Sequence, residues 1–265
     1  MSDGVDLSIG QFRDAWRLWC EGSATRSLAN EEGIDYIFSG VPISFFNVAL
    51  LTGTDLSADA LKAQGERACA WAADKNVPWL FVMTHERLQP GVDADSVLDG
   101  CGLGRMMTLT GMLTSEIAPG RPVPDGLTLV VPQDDSGCSS VLDVNSAAYG
   151  MDLDLGKDLI GTRSFWTGHV PVLGMVDGKP ACAAAVVMVD GCRYVALVAT
   201  DPSHQRHGYA DAAMRRALEV AARQFGDVPT VLHATDAGRP IYERMGYATI
   251  ANHTVFMEKK FLTGH

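Results

Sequence analysis

The sequence contains the stretch Val198-Ala199-Thr200-Asp201-Pro202-Ser203-His204-Gln205-Arg206-His207-Gly208-Tyr209-Ala210. It joins an apolar, strand-like run to a helix whose apolar positions, from Ala210 to Phe225, step by three and four residues. Gly208 and Ala210 are small, and small residues at a turn let the backbone approach a ligand closely. Because the first N–H groups of a helix point outward and carry partial positive charge, this turn predicts a main-chain cradle for a diphosphate group.

A second informative segment follows at His233-Ala234-Thr235-Asp236-Ala237-Gly238-Arg239-Pro240-Ile241-Tyr242-Glu243-Arg244-Met245-Gly246-Tyr247. Together the two segments resemble the acyl-CoA-binding motifs of the GNAT superfamily of N-acyltransferases. The first resembles the motif of a strand followed by (Gln/Arg)-x-x-Gly-x-(Gly/Ala), and the second resembles the motif that ends in Tyr-Glu-(Lys/Arg)-x-Gly-(Phe/Tyr). The resemblance covers about residues 126–260.

The resemblance implies an α/β fold of the GNAT type, with a mixed, mostly antiparallel sheet flanked by helices, and it implies acetyl-CoA as the cosubstrate. The main chain of Val198–Thr200 would pair with the pantetheine arm like an added strand. An amide near Val198 would polarise the thioester carbonyl, and the amides from Arg206 to Ala210 would hold the diphosphate. The implied cofactor-binding residues are Val198, Ala199, Thr200, Gln205, Arg206, His207, Gly208, Tyr209, Ala210 and Thr235.

The resemblance also implies that Tyr242 is the catalytic residue, which protonates the departing CoA thiolate. A phenol, with a pKa of about 10, can donate a proton to a thiolate. The alternative is a core tyrosine on an amphipathic helix. Two positions depart from the family pattern, since Thr235 stands where Asn is common and Gly238 stands where Ala is common.

The predicted function is transfer of an acetyl group from acetyl-CoA to a primary amine, by direct attack in a ternary complex. The acceptor would be a small molecule or a peptide, and the alternative function is a non-catalytic acyl-CoA-binding sensor or interaction protein. The general base stays open among His204, His233 and Asp201, and for each of them a structural or solvated role is the favoured interpretation. No metal is expected, because His204 and His207 have no third or fourth ligand patterned nearby.

The length of 265 residues suits two domains. Prolines 119, 122 and 124 cluster around glycines 120 and 126, which predicts a linker and places the domains at residues 1–124 and 125–265. The second domain is predicted to follow the order β-α-α-β-β-β-α-β-α-β-β, with a helix over Leu153–Ile160, a hairpin at Asp177-Gly178 and a terminal strand pair over Tyr247–Lys259. The first is predicted to begin with a helix that reaches about residue 30.

The N-terminal domain is predicted to be a diverged copy of the C-terminal one. In both domains a strand and a helix precede a strand that begins with Val-Pro and ends with Thr, at Val77–Thr84 and at Val228–Thr235. Coincidence between two α/β segments is the alternative. The N-terminal copy has Asp55 where the cradle should recur, and a carboxylate repels a diphosphate. We therefore expect it to bind no CoA, and either to shape the acceptor pocket or to mediate formation of a homodimer.

The composition argues against several classes of protein. A net charge of −11 and a pI of about 5.0 are unlike those of nucleic-acid-binding proteins. The longest apolar runs last about ten residues, half of what a membrane span needs. Residues 1–10 have neither the basic nor the apolar region of a signal peptide. We therefore expect a cytoplasmic protein without membrane association.

Overall fold

The structure, a computed structural model, describes residues 2–262. The chain forms two compact units. Unit 1 comprises the described residues up to Gly111, the segment Ala234–Ala237 and the described residues from Thr249 onward, whereas unit 2 comprises Met112–His233 and Gly238–Ala248. The domain boundary predicted near residue 124 stays a prediction, and residues 263–265 of the predicted second domain lie outside the described part.

Eight α-helices and eleven strands are assigned in the described part of the chain. The elements up to residue 114 are α1 (Ser2–Cys20), β1 (Ser27–Glu31), β2 (Ile34–Phe38), β3 (Asn47–Leu51), α2 (Ala58–Ala72), β4 (Leu80–Thr84), α3 (Ala94–Asp99) and β5 (Leu103–Thr114). The elements after it are β6 (Thr128–Val130), α4 (Asp135–Tyr149), α5 (Lys157–Ile160), β7 (Val170–Val176), β8 (Lys179–Val189), β9 (Cys192–Thr200), α6 (Tyr209–Phe225), β10 (Thr230–Ala234), α7 (Arg239–Arg244), β11 (Ala248–Glu258) and α8 (Lys259–Leu262).

In unit 1 the strands lie in the order β1-β2-β3-β4-β11-β5. The pairs β1–β2, β2–β3 and β4–β11 are antiparallel, whereas β3 and β4 are parallel and are joined by α2. Tyr36, Trp79, Phe81 and Phe256 are fully buried in the core of this unit, which fixes the sheet against α2 and α3.

The helix predicted to reach residue 30 is wrong, because α1 ends at Cys20 and β1 follows. Ser23 explains the break: its hydroxyl donates to the carbonyl of Ser39 and accepts from the amide of Thr25. Side-chain bonds of this kind offer the backbone an alternative to the helix.

Unit 2 has the strand order β10-β9-β8-β7-β6. Strands β9 and β10 are parallel and joined by α6, and the other pairs are antiparallel. Ala183 of β8 packs with residues of α4, whereas the thiol of its neighbour Cys182 donates to the carbonyl of Tyr209 in α6. Since adjacent residues of a strand face opposite sides, α4 and α6 cover the two faces of this sheet.

The two units share one topology, so the predicted repeat is confirmed. Each has two antiparallel pairings followed by a parallel β-α-β unit, with strands β1, β2, β3 and β4 in unit 1 corresponding to β7, β8, β9 and β10 in unit 2. The predicted α/β fold with a mixed sheet flanked by helices is also confirmed.

Local predictions had mixed outcomes. The hairpin at Asp177-Gly178 is confirmed between β7 and β8, with both residues at positive φ, as a tight two-residue turn requires. The helix predicted over Leu153–Ile160 is wrong in its first half, where a 3-10 turn precedes the four-residue α5.

The strand pair predicted over Tyr247–Lys259 is wrong, because β11 runs unbroken from Ala248 to Glu258. Asn252, at its middle, makes no turn. The main-chain and side-chain nitrogens of Asn252 both donate to the carboxylate of Glu86, at 2.8–3.1 Å.

Among the described residues, no helix combines the length and the apolar character needed to cross a membrane.

Candidate functional site

The parallel strands β9 and β10 lie at one end of the strand order of unit 2. Their pairing covers Arg193–Val195 against Thr230–Leu232, and β9 then continues to Thr200. On its other edge β9 shifts register against β8, so that Leu197 and Val198 form a bulge, with Leu197 at a φ of 52°. A bulge bends its strand and raises the local twist. The last residues of β9 therefore lie beyond the ladder that it forms with β10.

The turn after β9 leads to a helix terminus without a side-chain cap. Asp201 accepts a bond from the amide of Ser203 at 2.9 Å and fixes a short 3-10 turn. Gly208, at a φ of 79°, is the N-cap of α6, and Arg206 also has a positive φ of 69°. Alternating turn conformations of this kind gather main-chain N–H groups into an anion-binding concavity.

All but one of the predicted cofactor-binding residues lie along this continuous path. Val198, Ala199 and Thr200 end β9. Residues 205–208 are exposed in the turn, and Tyr209 and Ala210 open α6, with the Tyr209 side chain buried. Thr235 follows β10 in a segment that belongs to unit 1.

Tyr242 lies on the short helix α7 and is half-buried. Its ring contacts that of Tyr247 edge-on, with centroids 6.1 Å apart. Burial raises the pKa of Tyr242, and the neighbouring phenols of Tyr149 and Tyr247 raise it further. The phenol therefore keeps its proton at neutral pH.

Sequence reasoning missed Tyr149. This last residue of α4 donates its hydroxyl to the carbonyl of Val198 at 3.1 Å, and its phenol is one of the groups that raise the pKa of Tyr242. The Tyr149 side chain is 52% exposed. Its hydroxyl is nevertheless desolvated, and this desolvation raises the pKa of Tyr149. The available signal was its spacing of four residues from Asn145, which places both polar groups on one face of α4.

The three candidate bases are engaged in local contacts. The hydroxyl and the amide of Ser203 bond to Asp201 and lower its pKa, so this carboxylate holds a proton poorly. The Nδ1 atom of His204 lies 2.9 Å from the Ser203 hydroxyl. The Nδ1 atom of His233 lies 2.8 Å from the hydroxyl of the buried Tyr194. These contacts fit the structural alternative for each residue.

The corresponding region of unit 1 is closed. The side chain of Ser57 caps α2 by accepting from the amide of Ala60 at 3.2 Å. Leu56 and Leu88 form a parallel bridge beyond the ends of β3 and β4, with bonds of 2.9 Å from the Leu56 amide to Arg87 and from the Gln89 amide to the Leu56 carbonyl. Protein groups thus fill the region beyond the ends of β3 and β4 in unit 1.

In the described part of the chain, no group of three or more His, Cys, Asp or Glu residues is arranged to hold a metal ion.

Residues 142–247 match the family model described as the acetyltransferase (GNAT) family. This part of the chain is similar to a GNAT acetyltransferase domain. The matched range contains both motifs, from the strand before Gly208 to Tyr247. The match supports acyl transfer as a general activity, and proteins of this family generally use acetyl-CoA as their cosubstrate.

Several solved structures share the fold over nearly the whole chain. A GCN5-related N-acetyltransferase from Kribbella flavida is 19% identical, with a TM-score of 0.69 and coverage of 96% of this chain and 95% of that one. A functionally unknown conserved protein from Staphylococcus epidermidis is 12% identical, with a TM-score of 0.62 and coverage of 89% and 94%. A tandem GNAT protein from the clavulanic acid biosynthesis pathway is 13% identical, with a TM-score of 0.55 and coverage of 95% and 94%. A comparison with curated protein sequences gave no significant match.

Proposed function

We propose that this protein transfers an acetyl group from acetyl-CoA to a primary amine of a small-molecule or peptide acceptor, by direct attack in a ternary complex. The active domain would be residues 125–265. The proposal rests on two neighbouring features of unit 2. β9 continues beyond its pairing with the parallel strand β10, and the turn after β9 leads to the N-terminus of α6, where Gly208 is the cap residue.

Cofactor binding uses the main chain. The pantetheine arm pairs with Val198–Thr200 as an added strand, beyond the three-residue pairing of β9 with β10. The diphosphate meets the amides from Arg206 to Ala210, where the α6 dipole favours negative charge. The side chain of Gln205 borders this turn, and Thr235 contacts the pantetheine.

The proposed reaction takes place at the same end of β9. The amine nitrogen attacks the thioester carbonyl carbon, and the charge that develops on the oxygen is stabilised by the amide of Val198. The carbon–sulfur bond then breaks, and the phenol of Tyr242 gives its proton to the leaving thiolate. Burial makes a lone Tyr242 phenolate costly, so the proton transfer is favourable only while the thiolate shares the same buried site. Solvent takes up the proton that the amine loses and returns a proton to the Tyr242 phenolate.

The second candidate function is acyl-CoA binding without catalysis. The engagement of Asp201, His204 and His233 in local contacts favours it, because an amine acetyltransferase must deprotonate its acceptor.

Release of the CoA thiol, measured while acetyl-CoA is offered with a panel of amines, separates the two functions. Acetyl transfer predicts CoA release above the rate of thioester hydrolysis with at least one class of amine, and loss of this release in Tyr242→Phe. Saturable CoA binding without release with any amine would support the sensor. A cytoplasmic location and a homodimer formed through the N-terminal half stay predictions.

A further inference from the structure

The bulge in β9 places a leucine in a strained conformation. Leu197 has a φ of 52°, in the left-handed region that residues with a Cβ seldom adopt. Such a conformation persists only where its surroundings over-determine it, and it is common at functional sites.

Two side chains of α4 hold the bulge, one turn apart. Asn145 donates from Nδ2 to the carbonyl of Leu197 at 3.2 Å and to that of Val141 at 2.8 Å. Tyr149 donates to the carbonyl of Val198 at 3.1 Å. Asn145 is 1% exposed, beside the buried apolar residues of the same helix. A polar group is costly in such a place unless it is hydrogen-bonded, so its bonds to the bulge explain its presence.

These bonds fix two successive peptide planes. A peptide unit is planar and trans, so fixing the direction of its C=O fixes the opposite direction for its N–H. The bond to the Leu197 carbonyl therefore aims the amide of Val198 away from α4. It also polarises that peptide unit and strengthens its N–H as a donor. The bond to the Val198 carbonyl does the same for the amide of Ala199.

We propose that Asn145 and Tyr149 are positioning residues for acetyl transfer, which hold the β9 bulge so that the amide of Val198 meets the thioester carbonyl of acetyl-CoA. The inference rests on the proposed function. It adds that oxyanion stabilisation depends on two side chains that lie behind the strand and act through its main chain.

Tyr149→Phe tests the proposal, because it removes one oxygen atom from a half-exposed side chain. The infrared band of the thioester carbonyl in bound, ¹³C-labelled acetyl-CoA reports directly on the hydrogen bond it accepts. In the wild type we expect this band below that of free acetyl-CoA, and in Tyr149→Phe we expect it to move back toward the free value. The kcat should fall at least tenfold, while the Kd for CoA stays unchanged.

Tyr36→Phe is the matched control, since it removes the same atom from a tyrosine buried in unit 1; its band and kcat should equal those of the wild type. Asn145→Leu, checked for its melting temperature, should move the band in the same direction as Tyr149→Phe. An unchanged band in Tyr149→Phe overturns the proposal even if kcat falls, since Tyr149 would then act on the acceptor. If the wild type binds no acetyl-CoA, both the proposed function and this inference are wrong. If the band is shifted in the wild type and equally shifted in Tyr149→Phe, this inference alone is wrong.

Discussion

Replacement of Gly208 by alanine separates what this residue does for folding from what it does for the ligand. Gly208 has a φ of 79°, and a Cβ added there would meet only the Cγ atom of Pro124, at 4.0 Å. The substitution therefore fits the protein, and its cost is that of the left-handed backbone, about 1–2 kcal/mol. With a shift of about 2–4 °C per kcal/mol for a chain of this size, the melting temperature should fall by about 2–8 °C.

Gly226 supplies a matched control at the other end of α6. It has a φ of 89°, and a Cβ there would meet nothing within 4 Å, so Gly226→Ala should cost at least as much folding stability. Only Gly208 lies where the diphosphate is proposed to bind. A methyl group at that turn should weaken CoA binding about tenfold or more, equivalent to about 1.4 kcal/mol.

The assay is calorimetric titration with CoA, run below the melting transition of both variants, together with thermal denaturation. We expect the Kd for CoA to rise in Gly208→Ala and to stay at the wild-type value in Gly226→Ala. Equal, wild-type affinities in two destabilised variants would show that the turn before α6 does not contact the ligand, and the reasoning from its backbone would be refuted.

Three further predictions follow from the site and the core. Tyr242→Phe should lower kcat about a hundredfold or more, with CoA affinity retained; unchanged turnover would remove the phenol from the mechanism. The Leu56–Leu88 bridge in unit 1 predicts one CoA per chain by calorimetry, and a stoichiometry of two would contradict it. His253, buried with Ser8 and Thr84 hydroxyls 2.9 Å from its ring nitrogens, has its pKa lowered to about 4 by desolvation. From pH 6.5 down to 4 only the unfolded chain takes up this proton, so the free energy of unfolding should fall by about 3 kcal/mol. Urea denaturation at several pH values would measure this fall in the free energy of unfolding. The fall should be smaller in His253→Gln. An equal dependence of the unfolding free energy on pH in the two proteins would disprove the prediction.

Local signals in the sequence were enough for the elements that frame the site. The three- and four-residue spacing in α6 and the Asp177-Gly178 turn each depend on neighbours within a few positions. Short-range chemistry of this kind does not change with the rest of the fold, and these elements form where the sequence predicts them.

The features that escaped prediction depend on residues distant in the chain. The bond of Tyr149 to Val198 spans 49 positions, and the bridge between Leu56 and Leu88 joins the segments that follow two different strands. β11, which was predicted as two strands, contains Asn252, whose side chain bonds to Glu86, 166 positions away. Periodicity and turn chemistry carry no information on such pairs.

A crystal structure of the protein with CoA would show where the diphosphate binds. We expect diphosphate oxygens within about 2.7–3.2 Å of main-chain nitrogens between Arg206 and Ala210, with the pantetheine beside Val198–Thr200. Cofactor bound away from this turn, or a turn left empty at a saturating concentration of CoA, would contradict it.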